Sequence, residues 1–147
     1  MSRKRLSASA VCIALLVFAL RAGAASFAPD TFVRDDIITD PTPGNFSVCH
    51  GGTCTRVSRV ALDESQWERI AAVFATVAGD AQEERARIAE AIARFETVVG
   101  VLTDTSDDRP ENQIASGKGW WTQMDCIDES TNTTIYLRIL AKAGFLR

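Results

Sequence analysis

Four cysteines and a single histidine carry most of the chemical possibility in this chain. In the run Gln123-Met124-Asp125-Cys126-Ile127-Asp128-Glu129 a cysteine lies between aspartates where a helix is expected to begin. Exposed backbone N–H groups at a helix N-terminus favour the thiolate, the form in which cysteine acts as a nucleophile. Asp125, Asp128 and Glu129 oppose that ionisation by their like charge. A thiol hydrolase also needs a proton acceptor, usually histidine, and His50 is the only one in the sequence. Cys126 is thus a candidate nucleophile and His50 its candidate base.

The other two cysteines of the exported chain stand at Cys49 and Cys54, in Phe46-Ser47-Val48-Cys49-His50-Gly51-Gly52-Thr53-Cys54. Gly51-Gly52 between two β-prone runs is a two-residue hairpin signal. In such a hairpin His50 faces Thr53, and Cys49 faces Cys54 at a non-hydrogen-bonded rung, close enough for a disulfide. The bridge closes a small loop, so its expected role is to lock the hairpin. A metal site built from Cys49, His50 and Cys54 is the rival reading. Adjacent strand residues point to opposite faces, which would aim His50 away from both sulfurs. Asp104, Asp107 and Asp108 fit no EF-hand spacing and read as a solvated loop. Neither a metal nor a cofactor is expected.

The first residues set the compartment. Arg3, Lys4 and Arg5 precede an apolar run from about Ala8 to Leu20, followed by Ala22-Gly23-Ala24, which is small at both positions a signal peptidase reads. Residues 1–24 are therefore expected to be a secretory signal peptide. The apolar run is short for a membrane span, and Cys12 lies inside it without the small residue a lipobox requires. Cleavage leaves 123 of the 147 residues, with 12 basic residues remaining of 16 against 19 acidic ones. An anionic exported domain offers no pull toward nucleic acid or anionic lipid. A periplasmic or secreted location is expected, with a binding or structural role and a protein or a small molecule as the partner.

Residues 25–46, rich in Pro and Asp, read as an extended arm with one short strand around 31–33, and residues 47–147 as one globular domain, either whole or cut short just where a sheet would begin. Asp63 can cap a helix that Gly79 ends, with Trp67, Ile70, Ala71, Phe74 and Val77 on one face. A second helix runs from Asp80 to a stop at Gly100, burying Ile88, Ile92, Phe95 and Val99, with Glu83–Arg87 and Glu90–Arg94 at i, i+4 spacing on its wet side. The turn between them predicts an antiparallel pair. Residues 101–119 form a long aperiodic loop. Trp120-Trp121 returns the chain to the body as one buried and one half-exposed indole, or as a pocket wall. A last helix has Asp125 as N-cap, Asp128 bonding back to it and Gly144 as stop. Its inner face is apolar at Ile135, Tyr136, Ile139 and Leu140 but polar at Asp128, Asn132, Glu129 and Thr133. Those polar turns either protrude into water or line a pocket with Trp120, Trp121, Asp125, Asp128 and Asn132 as binding residues. The fold class expected is α+β, mainly helical, with one short disulfide-locked β-hairpin.

The pairing of "CHGGTC" with "QMDCIDESTNTTIYLRILAKAGFL" resembles a set of short exported proteobacterial proteins, a resemblance that implies export and assigns no activity. More distantly, a cysteine opening a helix after an aromatic loop is similar to the first helix of transglutaminase-like and papain-like cysteine peptidases, which implies a hydrolase or acyl transferase with Cys126 as nucleophile. In those families the His and Asp follow on later strands, so Cys126 alone maps onto their pattern. Redox or covalent partnering through Cys126, unpaired in an oxidising compartment, is the further alternative. The Asn45-Phe46-Ser47 and Asn132-Thr133-Thr134 sequons have no expected reader in a bacterium.

Overall fold

A computed structural model describes residues 34–109 and 119–146; the expected signal peptide and the expected short strand around 31–33 lie outside them. Strands β1 (Phe46–His50) and β2 (Arg56–Val60) form an antiparallel hairpin. Helix α1 (Glu64–Ala71) runs into a 3-10 turn at Ala72–Phe74. Helices α2 (Ala81–Thr103) and α3 (Cys126–Lys142) follow, with a 3-10 turn at Trp120–Thr122 just before α3. The protein is a mainly helical α+β fold.

Local sequence explains most of the helix boundaries. Asp63 and Gln66 form a capping box at α1, Asp80 accepts from the Glu83 amide at α2, and Asp125 with Asp128 forms a second capping box at α3. α3 ends as expected, with Gly144 in the left-handed region at φ +80°. The α1 helix is shorter than its apolar stripe predicts, and Val77 is exposed. α2 runs past Gly100 to Thr103. Gly100 is buried, the C-cap is Asp104 in the left-handed region, and Ser106 folds back on Gly100 so closely that a Cβ there would lie 3.2 Å from its Oγ. The glycine serves close approach, not termination.

α1 and α2 pack antiparallel: Arg94 donates to the Arg69 carbonyl and Arg87 to that of Thr76, so rising numbers on one segment meet falling numbers on the other. Glu83–Arg87 and Glu90–Arg94 are both ion-paired. The core joins three elements through aromatic rings. Phe95 of α2 and Tyr136 of α3 stack at 4.5 Å, and Phe46 of β1 meets both edge-on at 6.3 and 6.2 Å. Each such ring buries on the order of 150–250 Å² of mostly apolar surface, so the triad dominates the burial energy at the centre. Phe145, turned inward after Gly144, stacks on Phe74 at 4.8 Å and packs near Trp67.

Every residue of β1 is buried. β2 pairs along one edge, α3 packs against it, and the 34–45 segment is folded onto the body instead of extending from it. Ile37 joins the core, the Ile38 amide donates to Ser47 Oγ, and Arg138 of α3 donates to the Thr39 carbonyl.

Candidate functional site

The hairpin turn differs from the two-residue form that Gly51-Gly52 predicts. Cys49 pairs with Val57 and His50 with Arg56, leaving a five-residue loop, Gly51 to Thr55. The Cys49–Cys54 disulfide is present, spanning the loop with Cα atoms 4.7 Å apart instead of crossing a rung. Four consecutive residues, Gly51, Gly52, Thr53 and Cys54, have φ between +52° and +79°. Successive left-handed residues turn their N–H groups toward one side and form an anion-binding concavity.

That concavity holds the carboxylates of α3. The Gly52 and Cys54 amides donate to Asp128 Oδ2 and Oδ1 at 2.7 and 2.6 Å, and the Thr53 amide donates to Asp125 Oδ2 at 2.8 Å. Asp128 also accepts from the Asp125 amide. One turn on, Asn132 accepts from the Cys49 amide at 2.7 Å and donates to the Cys49 carbonyl at 2.9 Å, pairing with β1 as a neighbouring strand would. The polar inner face of α3 therefore neither protrudes nor opens onto solvent at these positions: Asp128 and Asn132 are wholly buried and hold the hairpin. Burial pushes the Asp128 carboxyl up, with its amide donors opposing and the Asp125 charge adding to the rise. At Asp125 burial also acts upward, but the donors from Asp128, Thr53 and Ile127 together outweigh it and hold the group below its ordinary range.

His50 is buried, with Nδ1 2.7 Å from the Trp121 carbonyl and Nε2 2.9 Å from Ser58 Oγ. A carbonyl only accepts, so Nδ1 carries a proton, and in the neutral ring Nε2 accepts from Ser58. Nδ1 thus ties the Trp120–Thr122 turn to the hairpin, and Nε2 links β1 to β2 within it. Trp120 covers Gly51, where a Cβ would lie 3.1 Å from the indole, while Trp121 is 40% exposed with Arg56 stacked 6.0 Å from its ring. Cys126, at the first position of α3, is an exposed free thiol. The sulfurs of Cys49 and Cys54 and an oxygen of Asp128 lie within 4.8 Å of one another, a spacing compatible with metal ligation. The sulfurs are bonded to each other, however, and both Asp128 oxygens are filled by amides.

Beside this clamp, α2, the turns after it and the first half of α3 border an open cleft of about 640 Å³. Ile92, Val101 and Met124 give it an apolar wall, and Glu96, Asp108 and Glu129 bring three carboxylates to it. Asp108 also accepts from the Met124 amide at 2.7 Å. Burial pushes the Glu96 carboxyl up; the Tyr136 hydroxyl opposes that rise, and the charges of Glu129 and Asp108 add to it. Tyr136, beneath Glu96, is wholly buried and its hydroxyl titrates well above the ordinary tyrosine value, because of burial first and the Glu96 charge second. Sequence reasoning placed Tyr136 in the core and passed over Glu96. The signal available was an acid four residues after Ile92, on the edge of the buried stripe of α2. Asp108 was read as a solvated loop residue, and Glu129 as part of the polar face. No family model, curated protein or solved structure matches the chain.

Proposed function

We propose that this protein is a small exported binding protein whose ligand site is the cleft between α2 and α3. One observation carries the reading: a cleft of about 640 Å³, in the size range of small-molecule sites, that combines an apolar wall with carboxylates. Export is supported by the leader pattern at residues 1–24 and by a disulfide of the kind that persists in oxidising compartments. Among the described residues no helix is long and apolar enough to cross a membrane. Asp125, Asp128 and Asn132 serve this reading indirectly, by fixing the start of α3, from which Met124 and Glu129 reach the cleft.

A fragment screen followed by methyl NMR on mature protein tests it. Binders are expected to move Ile92, Val101, Met124 and Thr133 together; binders that all act elsewhere, or none at all, would overturn the proposal. Covalent partnering through Cys126 is a second reading, favoured by the exposure of its thiol. It requires a disulfide-linked species on non-reducing gels that Cys126→Ser abolishes. A thiol hydrolase has less support, since His50 has both ring nitrogens engaged inside the fold.

A further inference from the structure

In an antiparallel pair each residue sends its N–H and C=O to the same side, toward the partner strand at one rung and away from it at the next. Cys49 turns both groups away from β2 and toward α3, where Asn132 closes them. Cys49 with Val57 is therefore a non-hydrogen-bonded rung, and so is Ser47 with Arg59 two residues along. On β2 the N–H and C=O of Val57 and Arg59 then point away from β1, along the outer edge of the sheet. Among the described residues no third strand pairs there, and no hydrogen bond meets these four groups. The edge is reachable, since Arg56 and Arg59 are exposed and Val57 and Ser58 half-buried. An open edge of this kind is a template for an added strand.

Charge decides which strand suits it. Among the described residues neither Arg56 nor Arg59 forms an ion pair. Arg56 lies over the ring of Trp121, which is itself partly exposed. Arg59 donates to the Asp36 carbonyl, while the Asp36 carboxylate is bonded to Arg34. Two guanidinium groups without a bonded carboxylate oppose a second copy of β2 laid edge to edge, and they favour a strand of the opposite sign. Being three residues apart on an extended strand, they project to opposite faces. Carboxylates that match them must also stand three residues apart.

We propose that the outer edge of β2 docks an extended acidic segment of a partner protein as a third, antiparallel strand. Its main chain bonds to Val57 and Arg59, and its two carboxylates face Arg59 and Arg56. The main-chain bonds supply affinity, and the carboxylates select the partner. This site is separate from the α2–α3 cleft, to which β2 contributes no lining residue.

The test is amide hydrogen exchange and amide NMR on the mature chain with the peptide acetyl-Thr-Glu-Val-Thr-Glu-Val-amide. One control replaces both Glu by Lys. A second is N-methylated at the first Glu and the second Thr, whose amides would face β2. The acidic peptide is expected to slow exchange at the Val57 and Arg59 amides and to leave the cleft methyls unmoved. The N-methylated copy should bind at least about tenfold more weakly, and the lysine copy should not bind. Arg56→Ser and Arg59→Ser, both at exposed positions and expected to fold, should each weaken binding about two- to fivefold. Absence of slowing at Val57 and Arg59 with millimolar peptide would overturn the proposal, as would equal binding of either control. If these amides already exchange slowly and become fast when residues 25–33 are deleted, the chain's own arm fills the edge. If they slow only as protein concentration rises, a second copy does. Either result overturns the assignment to an acidic partner.

Discussion

Asp128 shows how a charged side chain can be a structural part of a small domain. It is fully buried, and its two oxygens accept from Gly52, Cys54 and Asp125. Removing the carboxylate leaves buried donors without acceptors, at about 1–3 kcal/mol each. Asp128→Ala is therefore expected to cost at least about 3 kcal/mol in urea unfolding. Asp128→Asn should recover little of this, because its amide nitrogen would face a backbone N–H where an acceptor is needed. A nearly neutral Asp128→Asn variant would contradict the clamp. Asn132 makes the converse case: Asn132→Asp would set a carboxylate oxygen against the Cys49 carbonyl in place of a donor, so it is expected to be at least as damaging as Asn132→Ala. Cys126 lies outside this network. Native protein should be alkylated at Cys126 within minutes at pH 8, with Cys49 and Cys54 protected, as peptide mass spectrometry would show, and Cys126→Ser should leave the melting temperature unchanged.

At the scale of elements, the hairpin loop is where sequence and structure part. The cysteine pairing was readable from spacing and compartment, and so were the three helix starts, because caps are local. The loop length was not readable, because the left-handed run from Gly51 to Cys54 is held by partners more than seventy residues away. Thr53 and Cys54 have no intrinsic reason to adopt positive φ. The amide bonds to Asp125 and Asp128, together with the disulfide, fix them there. The same separation hid the cleft, which needs α2 and α3 side by side. The polar face of α3 was visible as an anomaly, but its explanation lay in the other partner. A test of the loop is Gly51→Ala, which combines an unfavourable φ of +79° with a Cβ 3.1 Å from Trp120. It is expected to lose about 1–2 kcal/mol and to shift Trp120 fluorescence. Asp104→Gly, at the left-handed C-cap of α2, should instead stabilise slightly, by up to about 1 kcal/mol.

For the whole molecule, the carboxylates fall into two groups that act in opposite directions on stability. Asp125 is held low by amide donors acting against its burial, Asp63 by the Gln66 amide, Glu83 by the Gly79 amide and Asp36 by its bond with Arg34. In the folded state these groups stay ionised to lower pH than in the unfolded chain. Their contribution is present above ordinary carboxylate values and is lost as pH falls through their folded-state values. Glu96 and Asp128, pushed up first by burial, act the other way. Above the ordinary values of 4.5 and 3.8 the folded chain retains protons that the unfolded chain has released, so stability falls as pH rises through that interval. Tyr136 repeats that sign in alkali, above its ordinary value of 10.0. The two trends oppose each other, so stability should vary little between mild acid and neutrality unless one group of carboxylates dominates. Thermal melts from pH 3 to 9 should show it. Glu96→Gln removes one of the two ionisations that cost stability at neutral pH. It is expected to melt higher than the parent at pH 7.5 and to lie closer to it in mild acid. A parent melting temperature that climbs steadily from pH 5 to 8 would mean that the burial of Glu96 and Asp128 does not govern the balance.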